Sequence, residues 1–191
     1  MTGLASTPSQ TVGPFLSIGM TWEGGEYVVP DGVPDSFWIH GRLLDGAGDG
    51  VPDGVIETWQ ADPSGAFGQA LSPLGSAVEN VEAWGGFGRS MTGSDGQYRV
   101  HTLKPGPVDD GQGGFQAPHL DVSVLARGLL NRVITRIYFV DEVEANAADP
   151  VLSTLPDEHA RATLIAQPDG NGGYALDIRL QGAAETVFFT V

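Results

Sequence analysis

Leu120-Asp121-Val122-Ser123-Val124-Leu125-Ala126 is the stretch that decides the fold class. Its even positions, Leu120, Val122, Val124 and Ala126, are all apolar, whereas Asp121 and Ser123 fall between them. A period of two lines up one face of a pleated strand, while a helix would need a period near 3.6. Working outward, residues 133–140 are rich in β-branched and aromatic side chains and read as a second strand. Phe37-Trp38-Ile39-His40-Gly41-Arg42-Leu43-Leu44 reads the same way and ends in a Gly/Asp loop over residues 45–54. Val55-Ile56-Glu57-Thr58-Trp59-Gln60 follows, bounded by Asp62-Pro63. Asp95-Gly96 is a tight-turn pair leading into a strand over residues 97–103. Residues 174–181 put Leu176, Ile178 and Leu180 on one face and Asp177, Arg179 and Gln181 on the other, and residues 186–191 close the chain as a strand.

Between these runs, residues 63–88 read as loop with one helical turn around residues 78–84, and residues 104–118 form a long Gly/Pro loop of the kind that carries function. Short helices are expected over residues 141–148 and 157–162. Residues 1–35 lack periodicity and read as an extended arm. Several short strands separated by turn signals indicate a β-sandwich or barrel.

Composition agrees. The 191 residues suit one domain, and 28 Gly with 13 Pro favour many turns over long helices. Nine basic against 24 acidic residues give a net charge of −15, which argues against nucleic-acid binding and against an anionic membrane surface. An anionic substrate would therefore need a locally positive pocket. Cysteine is absent, which removes disulfides, thiolate metal sites and thiol nucleophiles. The first residues lack the basic and apolar segments of a secretory leader, and no apolar run reaches membrane-spanning length, so a cytoplasmic protein is expected.

Four histidines are available for chemistry. His40 and His101 lie in strand patterns and read as structural, and His159 in Asp157-Glu158-His159 reads as solvated. His119 is followed two residues later by Asp121, which on a strand puts both on one face about 7 Å apart. Such a pair can share a metal or a hydrogen bond, but two ligands alone do not make a metal site. Arg127 shares their parity; it can neutralise an anion or serve a surface or inter-chain ion pair. Gly85-Gly86-Phe87-Gly88 and Gly111-Gln112-Gly113-Gly114 precede no helix pattern and read as plain loops. No phosphate loop, His-Glu-x-x-His or Gly-x-Ser-x-Gly is present.

The chain resembles the intradiol ring-cleavage dioxygenases, and among them the α chains of protocatechuate 3,4-dioxygenase. The resemblance is carried by residues 7–15, Thr-Pro-Ser-Gln-Thr-Val-Gly-Pro-Phe, and by Val55-Ile56-Glu57-Thr58-Trp59-Gln60-Ala61-Asp62. It continues through Gly88-Arg89, Gly96-Gln97-Tyr98, His101-Thr102-Leu103-Lys104-Pro105-Gly106, Ala117-Pro118-His119 and the segment from Gly182 to the end. The family's catalytic chain holds Fe(III) with two Tyr and two His. At those positions this chain has Phe67, Val108, His119 and Asp121, so three of the four ligands are changed. Phe67 and Val108 carry no donor atom, and a hard ferric ion favours anionic oxygen.

The resemblance thus implies an all-β chain with an antiparallel β-sandwich core over residues 36–191, long loops, few short helices and an N-terminal arm over residues 1–35. It implies no catalytic residue, metal or cofactor in this chain itself. It further implies a hetero-oligomer with a homologous β subunit that carries Fe(III) and cleaves protocatechuate with O2 to 3-carboxy-cis,cis-muconate, a step of the β-ketoadipate pathway. Thr11, Gly13, Pro14 and Arg127 are then expected to line the substrate pocket. Two other readings remain open at this stage: a non-enzymatic β-sandwich binding module, and a stand-alone metalloenzyme using His119 and Asp121.

Overall fold

The computed structural model describes Gly13, residues 16–67 and residues 84–190; the helical turn expected around residues 78–84 falls almost wholly outside this set. The strands are β1 (Phe37–Leu44), β2 (Val55–Trp59), β3 (Phe87–Met91), β4 (Gln97–Thr102), β5 (Val108–Asp109), β6 (Phe115–Gln116), β7 (His119–Leu125), β8 (Val133–Phe139), β9 (Ile165–Pro168), β10 (Tyr174–Ala175) and β11 (Ile178–Arg179). The helices are short: α1 (Leu16–Gly19), α2 (Val143–Ala148) and α3 (Glu158–Ala162), with a 3-10 turn at Leu152–Thr154. Asp157 caps α3 by accepting from the Ala160 N–H at 2.8 Å.

The fold is all-β. One mixed sheet runs β3-β2-β7-β8-β9-β10-β1, with β11 beside β10 on the same edge of β1 and β4 on its other edge. The sheet folds over so that alternate residues of its two halves meet. Ile39 and Leu43 of β1, Ile56 of β2, Leu120, Val122 and Val124 of β7, and Ile137 and Phe139 of β8 form one buried cluster. The other face of β7 and β8 is covered by the helical segment and the C-terminal stretch, where Tyr138 packs with Ala117, Leu152, Leu155 and Leu164.

The sheet is not purely antiparallel. β8–β9, β1–β10 and β1–β11 are parallel. Parallel neighbours require a crossover, and α2, the 3-10 turn and α3 supply it between β8 and β9. The two end strands, β3 and β4, are joined by residues 25–28. Arg89 N–H donates to Gly25 O at 2.6 Å, and His101 N–H to Glu26 O at 2.8 Å. The sheet is therefore nearly closed.

Two further departures from the expected strands share one cause: side chains take over the ladder. Residues 174–181 break into β10 and β11 because the Leu176 backbone folds over Gly41. A Cβ on Gly41 would sit 1.7 Å from Leu176 O. Tyr98, opposite Gly41 on β4, donates its hydroxyl to Leu176 O at 2.7 Å, and the Asp177 carboxylate accepts the Arg42 N–H at 2.9 Å. Burial, helped by Asp177, raises the Tyr98 phenol above its ordinary value, so it stays a donor. Likewise residues 186–190 make only one bridge, Ile134 to Phe189. Val187 is held instead by the Thr135 and Thr163 hydroxyls, at 2.7 and 3.1 Å.

Three strands lie wholly or partly where loop was expected. β3 carries Gly88 and Ser90 inward, because a Cβ at Gly88 would meet Thr58 Oγ1 at 2.9 Å and Val28 Cγ2 at 2.9 Å. The long loop after β4 holds the β5–β6 ribbon, with residues 111–114 at its tip.

Gly41→Ala should lower stability by about 3 kcal/mol through overpacking against Leu176. Tyr98→Phe, which only orphans one carbonyl, should lower it by about 1–2 kcal/mol. Urea unfolding midpoints of both variants check that order.

Candidate functional site

β7 and β8 form an antiparallel pair in which His119 lies opposite Tyr138 and Asp121 opposite Arg136. All four side chains point to the outer face, away from the core that Leu120 and Ile137 enter. The β5–β6 ribbon crosses beside them, with Val108 opposite Gln116.

Arg136 is the hub. Its Nε donates to Asp121 Oδ1 at 2.8 Å, and its Nη1 to Gln116 Oε1 at 2.7 Å and to the Tyr138 hydroxyl oxygen at 3.2 Å. Burial opposes the charge on Arg136, but Tyr138 and Asp121 outweigh it and hold the guanidinium more firmly protonated than usual. The Tyr138 hydroxyl in turn donates a hydrogen bond to Asp149 Oδ1 at 3.3 Å. Asp149 is fully buried, yet it accepts three backbone N–H groups, from Ala117, Val151 and Leu152, at 2.8, 2.9 and 2.8 Å. A buried carboxylate so paired is satisfied.

His119 is buried, and its Nδ1 lies 2.7 Å from Ala117 O. A carbonyl only accepts, so Nδ1 carries the proton and Nε2 presents a lone pair. That nitrogen is 3.9 Å from Asp121 Oδ1, too far for the hydrogen bond the sequence allows, and Asp121 pairs with Arg136 instead. Burial and the neighbouring Arg136 lower the His119 pKa below its ordinary value, which keeps the ring neutral.

The four positions that the resemblance sets against the family's iron ligands, three of them changed, are distributed as follows. His119 and Asp121 sit in this cluster, and Val108 borders it through Gln116. Phe67 is half exposed, at the end of a loop organised by Asp62, whose carboxylate takes Ser64 Oγ, Ser64 N and Ala66 N. The Ser64 hydroxyl is the main reason the Asp62 pKa is lowered. That loop docks on the one carrying Val108: a Cβ on Gly65 would lie 2.1 Å from Pro107 O. Phe67 and Val108 offer no donor, and among the described residues no group of three or more His, Asp or Glu side chains is placed to hold a metal. The residues do not fit the family's iron.

Of the expected pocket residues, Arg127 lies away from this cluster. β7 ends at Leu125, so strand parity does not reach Arg127, which sits in the following turn and pairs with Asp53 at 3.1 Å. A seven-residue strand spans about 20 Å, which puts Arg127 at the opposite end of β7 from His119. Gly13 has φ 72°, a left-handed backbone that favours glycine. Thr11 and Pro14 lie outside the described residues. Of the remaining histidines, His101 is buried with Nδ1 3.0 Å from Val29 O, His40 pairs with Asp169 at 3.2 Å, and His159 is exposed.

A cleft of about 880 Å³ opens on a different face, between Trp22, His40, Arg42, Arg89 and Arg99. Its arginines are committed: Arg89 to Glu57 and the Trp22 ring, Arg99 to Glu26 and the Trp38 ring, and Arg42 to Asp95 O.

Reading the sequence alone misses Arg136, Tyr138, Gln116 and Asp149. The available signal was the hairpin itself, because joining residues 120–126 to 133–140 as antiparallel neighbours places Arg136 and Tyr138 across from Asp121 and His119.

The dioxygenase family model matches residues 29–182. The protocatechuate 3,4-dioxygenase α chain of Pseudomonas putida is 39% identical, over 97% of this chain and 96% of its own. The chain belongs to the intradiol dioxygenase family. The α chain of Burkholderia cepacia is also 39% identical, over the full length of both, whereas the β chain of that organism is 30% identical over 78% of this chain. Solved intradiol dioxygenase folds agree at low identity. The dioxygenase domain from Streptomyces sp. SirexAA-E is 20% identical with a TM-score of 0.59 over 96% of each chain. Catechol 1,2-dioxygenase from Acinetobacter sp. ADP1 is 19% identical with a TM-score of 0.58, over 80% of this chain and 55% of that one. Within the family this chain is of the α type, a non-catalytic subunit of an intradiol dioxygenase.

His119 has a pH signature. The unfolded ring takes up a proton near the ordinary value of about 6.5, while the folded ring resists until lower pH, so stability falls as pH drops below about 6.5. His119→Gln should flatten the decline in urea midpoint between about pH 7 and about pH 5.5. The lowered carboxylates, such as Asp62, titrate below that window.

Proposed function

We propose that this chain assembles with a homologous iron-bearing β chain and forms part of the substrate pocket of a protocatechuate 3,4-dioxygenase. The observation that carries the proposal is the replacement of donor side chains at Phe67 and Val108 in a chain whose full length follows the α chains. In this reading the partner's Fe(III) would supply the chemistry for O2 attack on the catechol ring, and the product would be 3-carboxy-cis,cis-muconate, as in the β-ketoadipate pathway. A cytoplasmic location belongs to the same reading, supported by a Cys-free composition that needs no oxidising compartment.

The contribution of this chain is a wall. In this reading the arm, residues 1–35, contributes Thr11, Gly13 and Pro14 to the pocket wall, and the sandwich domain over residues 36–191 contributes Arg127. A wall that excludes water and limits orientation contributes to catalysis without touching the reacting bonds. Arg127 suits this role because it is half exposed, is held among the described residues by a surface pair with Asp53, and lies far from the internal Arg136 cluster. On a chain of net charge −15 it gives an anionic aromatic acid a local positive contact. The stand-alone metalloenzyme is disfavoured because Arg136 already occupies Asp121.

Two measurements test this. Co-expression with an iron-bearing β chain should give a complex with ring-cleaving activity, while the lone chain shows none; activity of the lone chain overturns the proposal. In the complex, Arg127→Ala should raise KM for protocatechuate about tenfold, the loss of one charge-assisted contact. Unchanged KM and kcat in an intact complex would remove Arg127 from the pocket.

A further inference from the structure

We infer that Arg136 is an internal substitute for the metal cation: its guanidinium fills the place the family's iron would occupy, clamps the same elements together and closes the site to metal. The inference deepens the α-subunit reading and rests on it only for the position of the ancestral metal.

Three observations carry it. Arg136 takes oxygen from three elements at once: Gln116 on β6, Asp121 on β7 and Tyr138 on its own strand β8. A metal ion in a loop-lined sandwich cross-links strands in the same manner, by collecting donors from separate segments. Second, Asp121 has a cation for its partner. Asp149 is satisfied by backbone N–H groups and the Tyr138 hydroxyl, so Arg136 answers Asp121, beside a histidine whose Nε2 bears a lone pair. Without Arg136 the Asp121 carboxylate would stand at this shielded face without that positive partner, open to another cation. Third, the guanidinium is well shielded: the Arg136 side chain is 18% exposed and the His119 side chain 3%. A planar five-donor group can satisfy several oxygens in such a place, whereas it repels an incoming metal ion.

The consequence is specific. The wild-type chain is locked against metal by a residue that is not one of the ligand positions. Neutralising Arg136 frees Asp121, Gln116, Tyr138 and the His119 lone pair to take a divalent cation.

The test uses the full chain and cobalt(II), whose visible d–d absorption reports protein ligands. The wild type should show neither d–d bands nor a cobalt-dependent change in Tm. Arg136→Gln should lose roughly 5–10 °C in Tm without metal. It should regain most of that loss with cobalt and develop d–d absorption saturating near one equivalent. The double variant Asp121→Asn/Arg136→Gln, with the charge pair removed jointly, should be more stable than Arg136→Gln and take up no cobalt. Cobalt binding by the wild type overturns the inference, as does a folded Arg136→Gln chain indifferent to cobalt, or a double variant no more stable than the single. If Arg136→Gln alone fails to fold, folding of the double variant supports the charge role and its failure overturns it. None of these readouts involves the β chain or ring cleavage, so their failure leaves the proposed function standing.

Discussion

Asp121 and Arg136 face each other across β7 and β8, and the outer face of the sandwich is organised around that pair. The carboxylate is half accessible and the guanidinium is not. Removing either partner would strand the other beside low-dielectric surface, which is why such pairs are costly to break even where they add little net stability. Through Gln116 the pair anchors the β5–β6 ribbon, and through Tyr138 it reaches the buried Asp149 and the 3-10 turn behind it. The non-catalytic character of the chain is thus a positive structural feature: the donor-poor loops at Phe67 and Val108 accompany an internal salt bridge that satisfies what remains.

The opposite side of the molecule depends on a missing side chain. Gly41 lets the Leu176 backbone descend onto β1, where the Tyr98 hydroxyl and the Asp177 carboxylate complete the hydrogen bonding that a regular ladder would have supplied. Both faces therefore follow one rule: where the backbone pattern is interrupted, a polar side chain from a neighbouring strand satisfies the exposed group.

Much of the fold was legible in the residue pattern. Residues 37–44, 120–126 and 133–140 alternate because one side of each faces a shared core, and they fall within a residue of β1, β7 and β8. What resisted reading had no hydrophobic period to show. β3 is built from Gly88, Arg89 and Ser90, small or charged for reasons of close packing and pairing. The break between β10 and β11 depends on Gly41 and on Arg42, which lies 135 positions from its partner Asp177, a separation no local pattern reveals. The placement of His119 and Asp121 on one face of a strand was visible too, although Asp121 bonds to Arg136 and not to His119. The hub at Arg136 was not, because its importance comes from strand register. Parity also misled at Arg127, since a strand's alternation stops where the chain turns.

The short crossing of residues 25–28 between β3 and β4 bears on how this subunit can meet any other protein. By tying the two terminal strands together it occupies backbone groups at Arg89 and His101, which shortens the edge open to a foreign strand among the described residues. Assembly through side-chain shape and loop surfaces, specific to one partner where a bare backbone edge would accept many, is favoured accordingly.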